Sequence, residues 1–221
     1  MDFSFATICL GTLAASYLAG SVPSGYIIGK MNGMDIRNHG SGNIGATNVT
    51  RVVGKGWGRV CFACDFLKGL LPALVATLLV KGGQLPDPAG ALPLIAAFGA
   101  VAGHIWTLFL GFKGGKGVAT AAGAIMAINP PALLVAGAVW VATFFGTRYV
   151  SVASIAASLS LPAAGFLFKF IGVWRASLAE LALLVILAVI SILKHSSNIK
   201  RLLDGTEPSF AKKSDDGGDS K

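Results

Sequence analysis

The sequence predicts an all-α integral membrane protein: a seven-helix bundle that includes a short helical hairpin, with its N-terminus outside and its C-terminus in the cytoplasm. Hydrophobic residues make up 54% of the 221 residues, and charged residues only 13%. Several apolar stretches are long enough to cross a bilayer, and basic residues are concentrated on one side of them. We assign residues 1–207 to a single membrane domain and predict that the polar tail at 208–221 is disordered.

Five apolar stretches are predicted to span the membrane. A bilayer core of about 30 Å needs roughly 20 apolar residues in helical form. The last stretch is shorter than this, so it crosses only together with its flanking residues. The five predicted spans are 4–28, 60–80, 91–112, 150–171 and 178–193.

The distribution of basic residues predicts the orientation. The first span is not predicted to be a cleaved signal peptide, because Asp2 precedes it and no lysine or arginine does. Five basic residues follow it, which places that side in the cytoplasm by the positive-inside rule: Lys30, Arg37, Arg51, Lys55 and Arg59. Only three basic residues fall on the outer side in this topology: Lys81, Lys169 and Arg175.

The region between Lys116 and Arg148 predicts the hairpin. Residues 118–128 are apolar but would form only about 16 Å of helix. Asn129 and two prolines then interrupt the pattern, and a second apolar segment follows at 132–146. We therefore predict two short helices that fold back to the cytoplasmic face.

Polar residues gather in three segments that this topology places on the cytoplasmic side: 39–51, 103–120 and 194–207. Segments that are distant in sequence but lie on one face can form a single site, and irregular backbone is tolerated there when it lines a cavity. The first segment carries more hydroxyl and amide groups than a simple turn needs, at Ser41, Asn43, Thr47 and Asn48.

The second polar segment contains a glycine run with two lysines, Gly-Phe-Lys-Gly-Gly-Lys-Gly-Val-Ala-Thr at 111–120. Glycine allows close backbone approach, and a helix N-terminus presents unpaired N–H groups to an anion. We predict a cradle for phosphate or carboxylate formed by Lys116 with Gly114, Gly115 and Gly117. The alternative is a basic loop that binds lipid headgroups.

Other chemistries lack their patterns. The Walker A sequence and the Gly-x-Ser-x-Gly sequence are absent, which argues against ATP hydrolysis and an ordinary serine hydrolase. No metal site is predicted, because no histidine has a partner at ligand spacing. His104 is interpreted as a structural residue, and Asp65 with Lys68 as an ion pair within a span.

These motifs resemble those of the bacterial acyl-phosphate:glycerol-3-phosphate acyltransferases. The resemblance rests on residues 41–51, on Gly103-His104 with 111–120, and on 194–202 with Gly205 and Glu207. It covers nearly the whole chain and includes the order of the motifs.

The resemblance implies an enzyme of the bacterial inner membrane whose active site faces the cytoplasm. It would transfer a fatty acyl group from long-chain acyl phosphate to the 1-hydroxyl of glycerol 3-phosphate. Lysophosphatidate and phosphate would be the products, in an early step of phospholipid synthesis. It implies no cofactor and no nucleic acid; membrane lipid and the soluble enzyme that makes acyl phosphate are the expected partners.

The resemblance also suggests which residues form the site. Expected catalytic residues are Ser41, Arg51, Lys116, His195 and Asn198. Expected substrate-binding residues are Gly42, Asn43, Thr47, Asn48, Gly114, Gly115, Gly117 and Ser154. A substrate phosphate oxygen or His195 would accept the hydroxyl proton, and we favour a phosphate-binding role for His195. Glu207 is expected to hold the C-terminal segment to a basic residue.

A membrane transporter or channel for small phosphorylated anions is the alternative function. It would also use an anion cradle and short hairpin helices. Against it, the sequence contains no internal repeat and no second interrupted helix in a corresponding position.

Overall fold

The computed structural model describes residues 4–210, which form ten α-helices, two short 3-10 helices and no strand. The 3-10 helices are Ile36–Asn38 and Leu108–Leu110. The α-helices are α1 (Phe5–Ser21), α2 (Ser24–Met31), α3 (Ala46–Val52), α4 (Lys55–Lys81), α5 (Leu92–Ile105), α6 (Val118–Ile128), α7 (Pro130–Thr147), α8 (Val150–Phe170), α9 (Leu178–Lys194) and α10 (Ser196–Leu203).

Long apolar helices confirm that the chain is an all-α membrane protein. Five helical segments in the described part are long and apolar enough to cross a membrane: Phe5–Met31, Lys55–Lys81, Leu92–Leu110, Pro130–Thr147 and Val150–Phe170. The pair α9 and α10, bent by 51°, would make a sixth. The total of seven helices in the bundle and the orientation of the termini stay predictions.

The first predicted span is interrupted where we expected one continuous helix. Pro23 has no N–H to donate, and α1 ends just before it. Two side chains from other helices and loops compensate for the break. The Lys68 Nζ atom donates to the Val22 carbonyl at 2.7 Å, and the Thr107 hydroxyl donates to the Ser21 carbonyl at 2.5 Å.

Two helices, α6 and α7, lie where we predicted the hairpin, but the second is longer than expected and could itself cross a membrane. Their return to one face of the membrane stays a prediction. The helix α7 has 18 residues and starts directly at Pro130, since proline at the first position of a helix loses no hydrogen bond. Asn129 caps this helix by accepting a hydrogen bond from the Ala132 N–H at 3.0 Å. Its side-chain amide also donates to Glu180 at 2.6 Å, in the first turn of α9. The hairpin tip therefore reaches the end of α9 opposite to His195.

Small residues let the helices pack closely around α4. Ala73, Ala97 and Ala124 are fully buried in the main apolar core. At Gly69 of α4, an added Cβ would overlap the Thr120 carbonyl oxygen of α6. Close backbone approach of this kind is a usual source of helix–helix contact energy in membranes. It fixes α6 against α4 and so sets the position of the loop that precedes α6.

The last described residues lie against the protein. Pro208 accepts a hydrogen bond from Arg51, and the Phe210 N–H donates to the Arg148 carbonyl at 2.9 Å. The prediction of a disordered tail at 208–221 therefore does not describe its first three residues. Residues 211–221 lie outside the described part of the chain.

Candidate active site

A polar cavity of about 170 Å³ lies where the three polar segments meet. It is bounded by the loop before α3, the start of α6, the start of α8, and the bend between α9 and α10. Ten of the residues expected from the sequence line it: Ser41, Asn43, Thr47, Asn48, Arg51, Lys116, Gly117, Ser154, His195 and Asn198. Gly42, Gly114 and Gly115 do not.

The first polar segment is organised by Asn48, which is 1% exposed. Its amide nitrogen donates to the carbonyls of Ile36, His39 and Asn43 at 3.2, 3.0 and 2.8 Å. Its amide oxygen accepts the Ser41 N–H at 2.9 Å. The amide is thus committed to the loop backbone, and its effect on a ligand is to position Ser41.

The turn that follows Ser41 is also held locally. Gly42 has a φ of 69°, and the Asn43 side chain accepts the Gly45 N–H at 2.8 Å. Gly42 serves the turn and does not line the cavity, whereas Asn43 and Thr47 do. The segment therefore presents hydroxyl and amide groups on a fixed backbone.

The glycine run does not form the cradle that we expected. The Gly114 N–H donates to the Ile105 carbonyl and the Gly115 N–H to the His104 carbonyl, both at 3.1 Å. These carbonyls belong to the last turn of α5, so the two amides satisfy a helix end and are not open to an anion. An added Cβ at either glycine would overlap an atom of His104. Both glycines therefore allow the loop to pack on α5.

Of the predicted cradle, only Gly117 and the start of α6 are still placed to bind an anion. Gly117 adopts a left-handed conformation with a φ of 80° and precedes Val118 directly. Gly117, Val118 and Ala119 line the polar cavity. The first N–H groups of a helix have no partner within the helix and carry partial positive charge, so this end favours a phosphate.

Lys116 begins a chain of polar contacts that ends at Arg201. Its Nζ atom donates to the Asn198 side-chain oxygen. The Asn198 amide nitrogen donates to Glu207 at 2.7 Å, and Arg201 Nε donates to the other Glu207 oxygen at 2.8 Å. The expected contact of Glu207 with a basic residue is confirmed. Both Lys116 and Asn198 are held in place before any ligand binds.

The electrostatics around Lys116 favour an anionic ligand. Burial lowers the pKa of Lys116 to about 8, and the positive charges of Arg201 and Arg51 act in the same direction, against the attraction of Glu207. Burial alone would raise the pKa of the Glu207 carboxyl group, but hydrogen bonds from Asn198 and Arg201 outweigh it and the pKa is lowered. A phosphate would stabilise the Lys116 ammonium group that burial disfavours.

His195 sits between α9 and α10 and is 2% exposed. Its Nδ1 atom lies 2.7 Å from the Ser191 carbonyl oxygen, which can only accept, so Nδ1 carries the proton. Burial and then the charge of Lys116 lower the pKa of the imidazole to about 4. The ring is therefore neutral at physiological pH. Its Nε2 atom, which has no hydrogen-bond partner among the described residues, can accept a hydrogen bond.

Asp65, a carboxylate within a predicted span, lines one side of the polar cavity, although we had not assigned it to the site. Asp65 and His104 line the polar cavity, and their side chains are 3.6 Å apart. The expected ion pair of Asp65 with Lys68 is present at 2.8 Å. The signal for this carboxylate was available, because an ionisable residue within a span commonly marks a functional site.

Trp140 and Ser151 also line the cavity but were not expected to. The indole N–H of Trp140 donates to the Ser154 hydroxyl at 3.3 Å. Ser151, Ser154 and Ser158 are spaced by three and four residues on α8, which puts them on one helix face. That spacing in the sequence could have identified Ser151.

An apolar cavity of about 410 Å³ adjoins the polar one. It lies among α6, α7, α8 and α9, and apolar side chains such as Leu133, Leu161 and Leu187 line it. The two cavities share a wall formed by Phe62, Lys116, Gly117, Val118, Ala119, Trp140 and Ser154. A ligand with a phosphate at one end and an alkyl chain at the other would fit across this wall.

No group of three or more histidine, cysteine, aspartate or glutamate residues within 4–210 is arranged to hold a metal ion. The charged groups that line the polar cavity are two cations, Arg51 and Lys116, and two carboxylates, Asp65 and Glu207, which are paired with Lys68 and Arg201.

The fold and the site together define an integral membrane protein in which a polar cavity lined by Arg51 and Lys116 adjoins an apolar cavity. The family model described as "Glycerol-3-phosphate acyltransferase" matches residues 10–205. The chain belongs to the glycerol-3-phosphate acyltransferase family.

Relatives and solved structures agree with this assignment. The glycerol-3-phosphate acyltransferase of Desulforudis audaxviator is 46% identical over 200 residues, which cover 90% of this chain and 94% of the relative. That of Aquifex aeolicus is 43% identical, with 88% of this chain and 95% of the relative covered. The crystal structure of PlsY (YgiH), an integral membrane glycerol 3-phosphate acyltransferase, in its glycerol 3-phosphate form is 41% identical with a TM-score of 0.80. It covers 92% of this chain and 96% of that one.

Proposed function

We propose that the protein transfers a fatty acyl group from acyl phosphate to the 1-hydroxyl of glycerol 3-phosphate and releases lysophosphatidate and phosphate. The observation that carries the proposal is the wall shared by the apolar cavity and the polar cavity, which Arg51 and Lys116 line. Crystal structures of PlsY are described as glycerol 3-phosphate and lysophosphatidic acid forms, and the latter is 40% identical to this chain with a TM-score of 0.77. The phosphate groups of both ligands suit the polar cavity, and the acyl chain of lysophosphatidic acid suits the apolar one.

Phosphate recognition is assigned to two cations and one helix end. Arg51 on α3 and Lys116 just before α6 both line the polar cavity, and the start of α6 adds unpaired N–H groups. Asn198 fixes Lys116, while Ser41 and Thr47 offer hydroxyl groups to the glycerol or phosphate oxygens. Asn48 acts through the loop as a positioning residue.

An activated acyl donor needs no covalent nucleophile from the protein. An acyl phosphate is a mixed anhydride with a good leaving group, so attack by the glycerol hydroxyl needs orientation and charge stabilisation more than covalent catalysis. The hydroxyl oxygen bonds to the acyl carbon, the bond from that carbon to the phosphate oxygen breaks, and phosphate leaves with the proton. A polar cavity of about 170 Å³ is also small for a coenzyme A arm, since sites for drug-sized ligands are roughly 300–1,000 Å³.

His195 is assigned to orient the attacking hydroxyl. A neutral ring with its proton on Nδ1 cannot donate from Nε2 to phosphate, so the phosphate-binding role that we expected does not suit this tautomer. A pKa of about 4 makes the imidazole a weaker base than a phosphate oxygen, whose second pKa is about 6. We therefore assign proton uptake to the substrate phosphate and hydrogen-bond acceptance to His195 Nε2.

The cellular setting follows from the charge distribution. Basic residues flank the polar cavity, and the positive-inside rule assigns that side to the cytoplasm of a bacterial inner membrane. A soluble enzyme that makes acyl phosphate would then deliver the donor to the same face.

The donor can be tested with purified protein, glycerol 3-phosphate and either palmitoyl phosphate or palmitoyl-CoA. We expect turnover with the phosphate donor only. Lys116→Ala should abolish most of it, whereas Lys113→Ala is a matched control, because Lys113 lies in the same loop but does not line the cavity. Equal rates with both donors, or equal loss in both variants, would contradict the proposal.

Transport of a phosphorylated anion is the competing function, because a transporter could also use Arg51 and Lys116 to bind it. Liposomes that contain the protein would take up labelled glycerol 3-phosphate without any acyl donor if it were a transporter. We expect no flux above that of protein-free liposomes, together with acyl transfer in detergent.

A further inference from the structure

Residues 206–210 follow α10 beside the polar cavity, which Glu207 lines, and we name them the C-terminal strap. They lie beyond the range that the family model matches. The strap begins on α10: the N–H groups of Thr206 and Glu207 donate to the Arg201 carbonyl at 2.8 and 3.1 Å. The Glu207 carboxylate is also held by Asn198 and Arg201. The start of the strap is therefore fixed.

The far end of the strap is attached to α7. The Phe210 N–H donates to the carbonyl of Arg148, the residue that caps the C-terminal end of α7. The Phe210 ring meets the Phe144 ring edge-on, with centroids 6.1 Å apart and an interplanar angle of 66°. The strap thus bridges α10 and α7 and is anchored at both ends.

Arg51 is held by this bridge. Its guanidinium carbon lies 4.8 Å from the centroid of the Phe210 ring, and its Nη2 atom donates to the Pro208 carbonyl at 2.9 Å. A guanidinium group has five N–H donors. One of them donates to Pro208, and the side chain lines the polar cavity.

An arginine that is oriented before binding loses less conformational freedom when a phosphate arrives. Stacking on an aromatic face contributes attraction and restricts the plane of the guanidinium group. A leucine in place of the ring would keep apolar contact with Phe144 but would lose the electrostatic attraction.

We propose that Phe210 is a positioning residue for substrate binding: its ring and the Pro208 carbonyl hold Arg51 at the polar cavity in an orientation from which its guanidinium group can donate to a phosphate. This rests on the proposed function, in which Arg51 binds the phosphate of glycerol 3-phosphate. The strap is therefore part of the phosphate site.

The test compares Phe210→Leu, which removes the ring, with Phe210→Tyr, which keeps it. We expect the KM for glycerol 3-phosphate to rise about three- to tenfold in Phe210→Leu, with kcat within about twofold of the parent. Phe210→Tyr should match the parent. Phe145→Leu is the control, because Arg148 lies 5.4 Å from the Phe145 ring in the same kind of contact but Phe145 does not line the polar cavity.

An unchanged or lowered KM in Phe210→Leu would overturn the proposal, and so would equal impairment of the Leu and Tyr variants. If Phe210→Leu does not purify as folded protein, Phe210→Met serves the same purpose. Calorimetric titration with glycerol 3-phosphate and no acyl donor measures binding affinity without turnover. It therefore tests the role of Phe210 separately from the proposed acyl transfer. Absence of turnover in the parent would count against the proposed function, whereas the affinity ratio of the Leu and Tyr variants still tests the role of Phe210.

Discussion

Lys116 is a partly buried cation that contacts phosphate in the proposed function, so its protonation state should control binding. Burial lowers the pKa of its ammonium group to about 8. The side chain is nevertheless held by Asn198, so its position does not depend on the ligand. The charge that binds phosphate is therefore present below about pH 8 and is lost above it.

We accordingly expect kcat/KM for glycerol 3-phosphate to fall as the pH rises through about 8, because the free enzyme loses the Lys116 charge. In Lys116→Arg the guanidinium group stays charged, so the basic limb should move to higher pH even if overall activity is reduced. The measurement is the pH profile of kcat/KM for both proteins. An identical basic limb in the variant would show that another group titrates.

The role of His195 can be separated by its kinetic effect. Because the neutral ring accepts a hydrogen bond at Nε2, we expect His195→Gln, which offers an amide oxygen nearby, to lower kcat by less than about 100-fold. His195→Ala should lower it further, since it offers no acceptor. A loss of about 1,000-fold or more in the Gln variant would instead identify His195 as the base.

At the scale of elements, the α6–α7 hairpin is fixed by its tip. Asn129 is fully buried, caps α7 and donates to Glu180, so one side chain joins the hairpin to α9. The start of α6 at the polar cavity lies at the other end of the same helix. The hairpin tip therefore helps to determine where the phosphate-binding end of α6 stands.

Substitution at the tip should have graded effects on stability. Asn129→Ser keeps an oxygen for the cap but loses the contact with Glu180, whereas Asn129→Ala loses both. We expect a decrease in unfolding free energy of about 1 kcal/mol for the Ser variant and about 2–3 kcal/mol for the Ala variant. Thermal unfolding in detergent measures this order, and a Ser variant as unstable as Ala would contradict it.

At the scale of the whole molecule, the topology awaits a direct test. The hairpin interpretation requires Lys113 and Thr147 to lie on one face of the membrane and Lys81 on the other. Single cysteines at these positions, in a background without Cys9, Cys61 and Cys64, should label with an impermeant reagent from the expected faces in oriented vesicles. Labelling of the Lys113 and Thr147 positions from opposite faces would contradict the hairpin.

Much of this architecture could be predicted from the sequence because hydropathy and charge act over whole segments. All five predicted spans contain helices, and residues from all three polar segments line one cavity. The break at Pro23 was not predicted, since the apolar pattern continues through it. The carbonyl groups freed at the break are bound by Lys68 and Thr107, which are distant in sequence.

The glycine run shows where sequence reasoning fails. A glycine-rich loop with lysines before a helix predicts open N–H groups, yet Gly114 and Gly115 are used by the end of α5. Only the relative position of two helices decides which amides remain free. The contact between Arg51 and Phe210 was missed for the same reason, since 158 positions separate them and a polar tail carries no periodic signal.

The position of the apolar cavity suggests how the acyl donor of the proposed reaction enters the site. Phe62 and Val141 line it and are 51% and 49% exposed, so the cavity opens on the lipid-facing flank of the bundle. Moving a sixteen-carbon tail through water would cost about 13 kcal/mol, at about 0.8 kcal/mol for each methylene group. A tail that slides in sideways avoids this cost. The rate should then follow the two-dimensional density of the acyl donor in the bilayer, so that diluting it with inert lipid slows the enzyme even when its total concentration is unchanged.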